Sequence, residues 1–150
     1  MFERILIATD GSKHSERASE VGMEMAKLYH GKVTALYVVD IGKEYVPLGD
    51  LSSKSAEEMI AGIRSSLLKR GEEATQSVEE MAKKAGVPVE KEVIEGYPAD
   101  DILRRAKEGN VDLIVVGGIG VTGLDRFLLG SVAEKVVRNS KVPVMVVRAK

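Results

Sequence analysis

The stretch 111–131, VDLIVVGGIGVTGLDRFLLGS, decides how the chain is read. It opens on an apolar run, Val111 to Val116, broken only by Asp112. A run without polar alternation suits a strand covered on both faces. Glycines follow at positions 117, 118, 120 and 123, and a Gly130–Ser131 pair closes the stretch. A strand that leaves through glycines and re-enters at a helix start can bring backbone N–H groups close to a phosphate. A permissive turn would use the same residues, and spacing alone leaves both readings open.

Working outward, segments of the two types alternate. Ile5 to Ala8 (ILIA) is a second doubly apolar run. A helix is expected from Ser12 to His30, with Ala18, Val21, Met25 and Leu28 inward, Ser12 as N-cap and Gly31 just past its end. Val33 to Val39 reads as a strand, and Asp40 to Ser53 as a loop punctuated by Gly42, Pro47 and Gly49. A long helix ends near Ala85. Its stripe is Ile60, Ile63, Leu67, Gly71, Ala74, Val78, Met81 and Ala85, and Gly86 and Pro88 stop it. Val89 to Ile94 alternates apolar and charged residues, as a sheet edge does. Pro98 opens a helix that Gly109 closes. Ser131 and Glu134 match the S-x-x-E capping box of a helix running to Asn139. Val142 to Val147 is the last strand, and Pro143 places it at an edge.

Strand–helix alternation implies one doubly wound, Rossmann-like α/β domain over residues 1–150. Five parallel strands in the order 3-2-1-4-5 carry helices on both faces. The order reverses between strands 1 and 4, and a ligand is expected beyond their carboxyl ends. Two turns meet there: ATDGS after strand 1 and the glycine stretch after strand 4.

Bulk properties exclude several classes. The 22 basic and 23 acidic residues leave a net charge of −1, with no broad basic surface for nucleic acid. The chain has no Cys, so disulfides and thiol chemistry are out. No segment is apolar for long enough to be a secretory h-region or to span a bilayer, so the expected location is cytoplasmic, with no membrane partner. His14 and His30 are expected at the surface and do not make a metal site. Glu72–Glu73, Glu79–Glu80 and Asp100–Asp101 are expected on solvated helix faces. There is no G-x4-G-K-[ST] loop and no evident catalytic base, so binding with at most slow hydrolysis is expected, not an enzyme.

Two residues carry double readings. Asp10 ends a central strand, where it can touch a ligand or form a turn. Ser131 can donate to a phosphate or cap its helix.

At this point the chain resembles a universal stress protein domain over nearly its whole length. The spacing G-x2-G-x9-G-S, from Gly117 and Gly120 to Gly130 and Ser131, is similar to that family's ATP signature. ILIATDGS, GYPADDIL, LLGSVAEKVV and PVMVV resemble family hallmarks too. The resemblance implies an adenine nucleotide, ATP or else AMP or ADP, which Mg²⁺ or Mn²⁺ could accompany. It puts Ala8, Thr9 and Val38 at the adenine, and Asp10, Val116 and Gly117 at the adenosine. Gly120, Gly130, Ser131 and Val132 would meet the phosphates. Ile119 and Val121 stand where many ATP-binding relatives have polar or basic residues, and Gly118 replaces a common Ser. Each missing charge-assisted bond would cost about 1.5–3 kcal/mol. Arg126 is a candidate to compensate, and Tyr45 and Pro47 are candidates for a lid.

An apolar edge such as Val142 to Val147 should not stay uncovered. A homodimer through that strand is expected, and the family's usual dimer resembles it. The implied role is a nucleotide-dependent stress sensor. The alternative is a nucleotide-independent interaction module of the same fold.

Overall fold

A computed structural model describes residues 1–44, 54–118 and 129–149. The elements in chain order are β1 (Arg4–Ala8), α1 (Lys13–Leu28), β2 (Lys32–Asp40), α2 (Ile41–Glu44) and α3 (Lys54–Ala85), then β3 (Val89–Gly96), α4 (Pro98–Glu108), β4 (Leu113–Gly117), α5 (Ser131–Asn139) and β5 (Val144–Val147). The strands form one parallel sheet in the expected order, β3-β2-β1-β4-β5.

The central strands are apolar throughout because both of their faces are covered. Ile5 and Ile7 of β1, with Leu113 and Val115 of β4, pack under α1 and α3 against Ala18, Met23, Ala26, Val78 and Ala82. Leu6, Ile114 and Val116 point the other way, against Ala99, Ile102 and Ala106 of α4 and Ala133 and Val136 of α5. Two cores thus fix β1 and β4 side by side. Their carboxyl ends define the switch point.

Several local expectations shift. Ser12 is the N-cap of α1, and its side chain accepts from the Ser15 N–H. The helix ends two residues early, and His30, not Gly31, takes the left-handed conformation, with φ 53°. Gly31 serves a close approach instead: a Cβ there would lie 2.6 Å from the Phe2 carbonyl oxygen. On α3, Thr75 and Ala82 are buried in place of the expected Ala74 and Met81. The expected loop after β2 begins with the short helix α2, where the Asp40 carboxylate accepts from the Gly42 and Lys43 N–H groups.

β5 starts at Val144, not Val142. The Pro143 carbonyl still accepts from the Ile114 N–H, while Ser140 and Val142 close a local turn. All four β5 residues are half-buried. His14 is not a plain surface residue: it is half-buried, and its Nδ1 accepts from the Ala149 N–H at 3.2 Å. Asp101 is half-buried too, and its carboxylate takes the Tyr97 N–H at the start of α4.

Candidate functional site at the strand ends

The carboxyl ends of β1, β2 and β4 open into a cleft of about 300 Å³. Its floor is made by Ala8 and Thr9 from β1 and its turn, and by Val116 and Gly117 from β4. Val38 and Asp40 of β2 and Lys43 of α2 form one side. Gly130, Ser131 and Val132 at the start of α5 form the facing side, and Pro98 and Ile102 of α4 sit between. Asp10 borders the opening, and Arg70 reaches it from α3. Nine of the ten residues expected to form the site therefore line one cleft. Gly120, the tenth, lies outside the described residues, as do Ile119, Val121, Arg126, Tyr45 and Pro47.

The two turns at this cleft are built differently. After β1, Thr9 Oγ1 accepts from the Gly11 N–H and lies 3.1 Å from Ser15 Oγ. Asp10 Oδ1 accepts from the Ser12 N–H at 2.9 Å. The turn-forming reading of Asp10 is thus real. That bond uses one carboxylate oxygen, and the residue still borders the cleft.

At α5 the sequence expectation fails. The N-cap is Gly130, with φ −61° and ψ 154°, and no side chain caps the helix. Ser131 is the first helical residue, and Glu134 pairs with Arg138 through its carboxylate. The capping box does not form, because the Gly130 N–H is bonded to the Gly118 carbonyl and the helix entry lies one residue early. In-helix bonding begins with the Glu134 N–H to Gly130 O. The N–H groups of Ser131, Val132 and Ala133 consequently have no partner within the helix. They point towards the end of the helix where partial positive charge accumulates, and all three residues line the cleft.

Gly117 has a reason of its own. A Cβ there would sit 3.1 Å from the His14 carbonyl carbon and 3.1 Å from the Ser15 nitrogen. Its missing side chain lets the first turn of α1 lie directly on β4, which brings the two turns to one place.

This arrangement can hold an anion at α5 and a flat apolar group over Val38, Val116 and Ile102. Residues 1–148 match the family described as the Universal stress protein family. The chain belongs to that family. It is 42% identical to Universal stress protein MJ0531 of Methanocaldococcus jannaschii, across 99% of this chain and 83% of the relative. Among solved structures, that of protein MJ0577 aligns with a TM-score of 0.82 at 28% identity, covering 100% of this chain and 98% of that one. A universal stress protein solved in complex with cAMP aligns at a TM-score of 0.67 and 26% identity, covering 98% and 97%. Universal stress protein membership thus joins the sheet order as a settled property of the chain.

Twelve cleft residues lie outside the expected set, Lys43, Arg70, Pro98 and Ile102 among them. The last two were legible as the start of an amphipathic helix. Lys43 depends on α2, a helix in a stretch whose sequence reads as loop. Arg70 looks in the sequence like any exposed helical arginine. Among the described residues, no helix is long and apolar enough to cross a membrane.

Proposed function

We propose that the cleft binds an adenine nucleotide and that the protein is a cytoplasmic, nucleotide-dependent regulator of the stress response. The observation that carries this reading is the uncapped start of α5, facing an apolar floor across the strand ends. The free N–H groups of Ser131, Val132 and Ala133 offer phosphate oxygens what a capping side chain would otherwise supply. Ala8, Val38 and Val116 suit the adenine, and Asp10 is left with one carboxylate oxygen for the nucleoside. The cAMP complex of a 26% identical universal stress protein supports an adenine ring in this fold.

The proposed role is binding and switching, not turnover. The sequence has no G-x4-G-K-[ST] loop to drive phosphoryl transfer. Mg²⁺ or Mn²⁺ would enter with the phosphates of ATP. Among the described residues, no group of three or more His, Asp or Glu side chains could hold a metal ion.

The proposed assembly is a homodimer through β5. This edge strand is half-buried along its whole length and, among the described residues, has an apolar edge that no other strand pairs. Such an edge is a template for a second chain. Light scattering on eluted protein at micromolar concentration is expected to give twice the chain mass, and a monomer would refute the assembly.

Calorimetric titration of ATP·Mg²⁺ into nucleotide-stripped protein, beside Gly130→Val, tests the nucleotide. Gly130 has an ordinary negative φ, −61°, so valine adds bulk in the cleft without straining the backbone. Saturable binding that disappears in the variant is the expected result. No binding in either protein would favour the nucleotide-independent interaction module.

A further inference from the structure

The charge around the cleft is divided unevenly between its sides. The described part of the α5 side, Gly130, Ser131, Val132 and Ala133, contributes no charged side chain, only backbone groups and the Ser131 hydroxyl. One of those donors, the Gly130 N–H, is already bonded to Gly118. The strand ends contribute two carboxylates, Asp10 and Asp40, each held in place by backbone N–H groups. A phosphate chain entering such a cleft would meet like charge, and like charges at short range repel. The opposing charge among the described lining residues comes from Lys43 of α2 and Arg70 of α3.

Among the described residues, no ion pair holds either cation. Arg17, Arg64, Arg104, Arg105 and Arg138 each pair with a carboxylate, whereas Arg4, far from the cleft lining, meets Asp112 through its backbone N–H. Arg70 forms no ion pair or side-chain hydrogen bond among the described residues, although Glu73 stands one helical turn away. Asp10, Glu16 and Glu73 also line the second groove that Arg70 borders, between α1 and α3. A guanidinium among carboxylates that nevertheless stays unpaired at a ligand cleft is poorly explained by helix stability. It is well explained by an anionic ligand, for which arginine provides a planar fork of donors.

We infer that Arg70 and Lys43 are the specificity-determining residues that retain the ligand's phosphate chain, so that the site selects a polyphosphate over the bare nucleoside. This rests on the nucleotide reading above and adds the class of nucleotide. The two cations would supply positive charge that the apolar Ile119 and Val121 of the sequence do not. They come from elements on the opposite side, so a phosphate chain would be gripped between α5 and the α2–α3 side.

The test is calorimetry on the full chain with three probes: ATP, adenosine and inorganic tripolyphosphate. The variants are Arg70→Gln, Lys43→Gln, their double, and Arg70→Lys. Arg70 and Lys43 are exposed, and thermal melts beside each titration establish that the variants are folded. In the double variant, ATP and tripolyphosphate are expected to lose roughly tenfold or more in affinity, the scale of a lost charged hydrogen bond. Adenosine is expected to lose far less. Arg70→Lys is expected to recover part of the ATP loss, and added salt is expected to weaken ATP binding more than adenosine binding.

Equal losses for ATP and adenosine, or unchanged ATP affinity in the double variant, would overturn the inference while leaving the nucleotide reading intact. Wild-type binding of tripolyphosphate without adenosine, lost in the double variant, would sustain the charge assignment and refute the adenine. A wild-type protein that binds none of the three would overturn both.

Discussion

Two strand-to-helix turns meet at the switch point, and they treat the same physical problem in opposite ways. Every α-helix starts with N–H groups that lack an intrahelical partner. After β1, the chain deals with them internally: Ser12 caps α1, Asp10 takes the Ser12 N–H, and Thr9 takes the Gly11 N–H. Before α5, glycine occupies the cap position and no side chain reaches back. One turn is closed and self-sufficient. The other is left open towards the cleft. A pocket of this kind needs both, because the closed turn fixes the geometry against which the open one can bind.

The comparison can be attacked first where the two turns touch. Gly117→Val places a branched side chain where even a Cβ would lie 3.1 Å from the α1 backbone. Overpacking of this kind costs about 1–3 kcal/mol. For a chain of this size that is a fall in Tm of roughly 3–10 °C, read by circular dichroism. Unchanged melting would mean that α1 does not rest on β4 as described.

A middle-sized effect separates the two helix starts. Ser12→Ala removes a cap and is expected to cost about 1 kcal/mol. Ser131→Ala removes no capping bond and is expected to stay within about 0.5 kcal/mol. Equal costs in denaturant melts would erase the distinction between the closed and the open turn. The smallest effect belongs to Asp10→Asn, which keeps the acceptor oxygen of the turn. Its stability is expected to change by less than about 0.5 kcal/mol. A larger loss would show that charge, not the turn bond, holds that segment.

Much of this was legible in the sequence. Ile5 to Ile7 and Leu113 to Val116 are apolar on both faces, so they had to be central. Val89 to Ile94 alternates, so it had to be an edge. With strand–helix alternation and the edge position that Pro143 gives the last strand, those facts placed Asp10 and Gly130 at one cleft. The helix start at α5 was not legible. Ser131 and Glu134 satisfy the capping pattern, but the entry is set by a bond between Gly130 and Gly118, twelve residues apart in sequence and adjacent only once the fold exists. Arg70 was hidden for a related reason. Its position over the cleft depends on how α3 lies across β2 and β3, and local periodicity carries no information about that placement. Lys43 was missed because four residues are too few for a periodic signal.

Gly118 has a wider consequence. Its N–H is bonded to the Val147 carbonyl and its carbonyl to the Gly130 N–H. Gly118 and Gly130 are therefore tied to each other and to the end of β5 at a single point. The two glycines hold a closed point in the chain, and doubling the length of a flexible closure adds only about 0.6 kcal/mol of entropy cost. A change of length or composition between positions 118 and 130 is therefore expected to leave β4, β5 and α5 in their places.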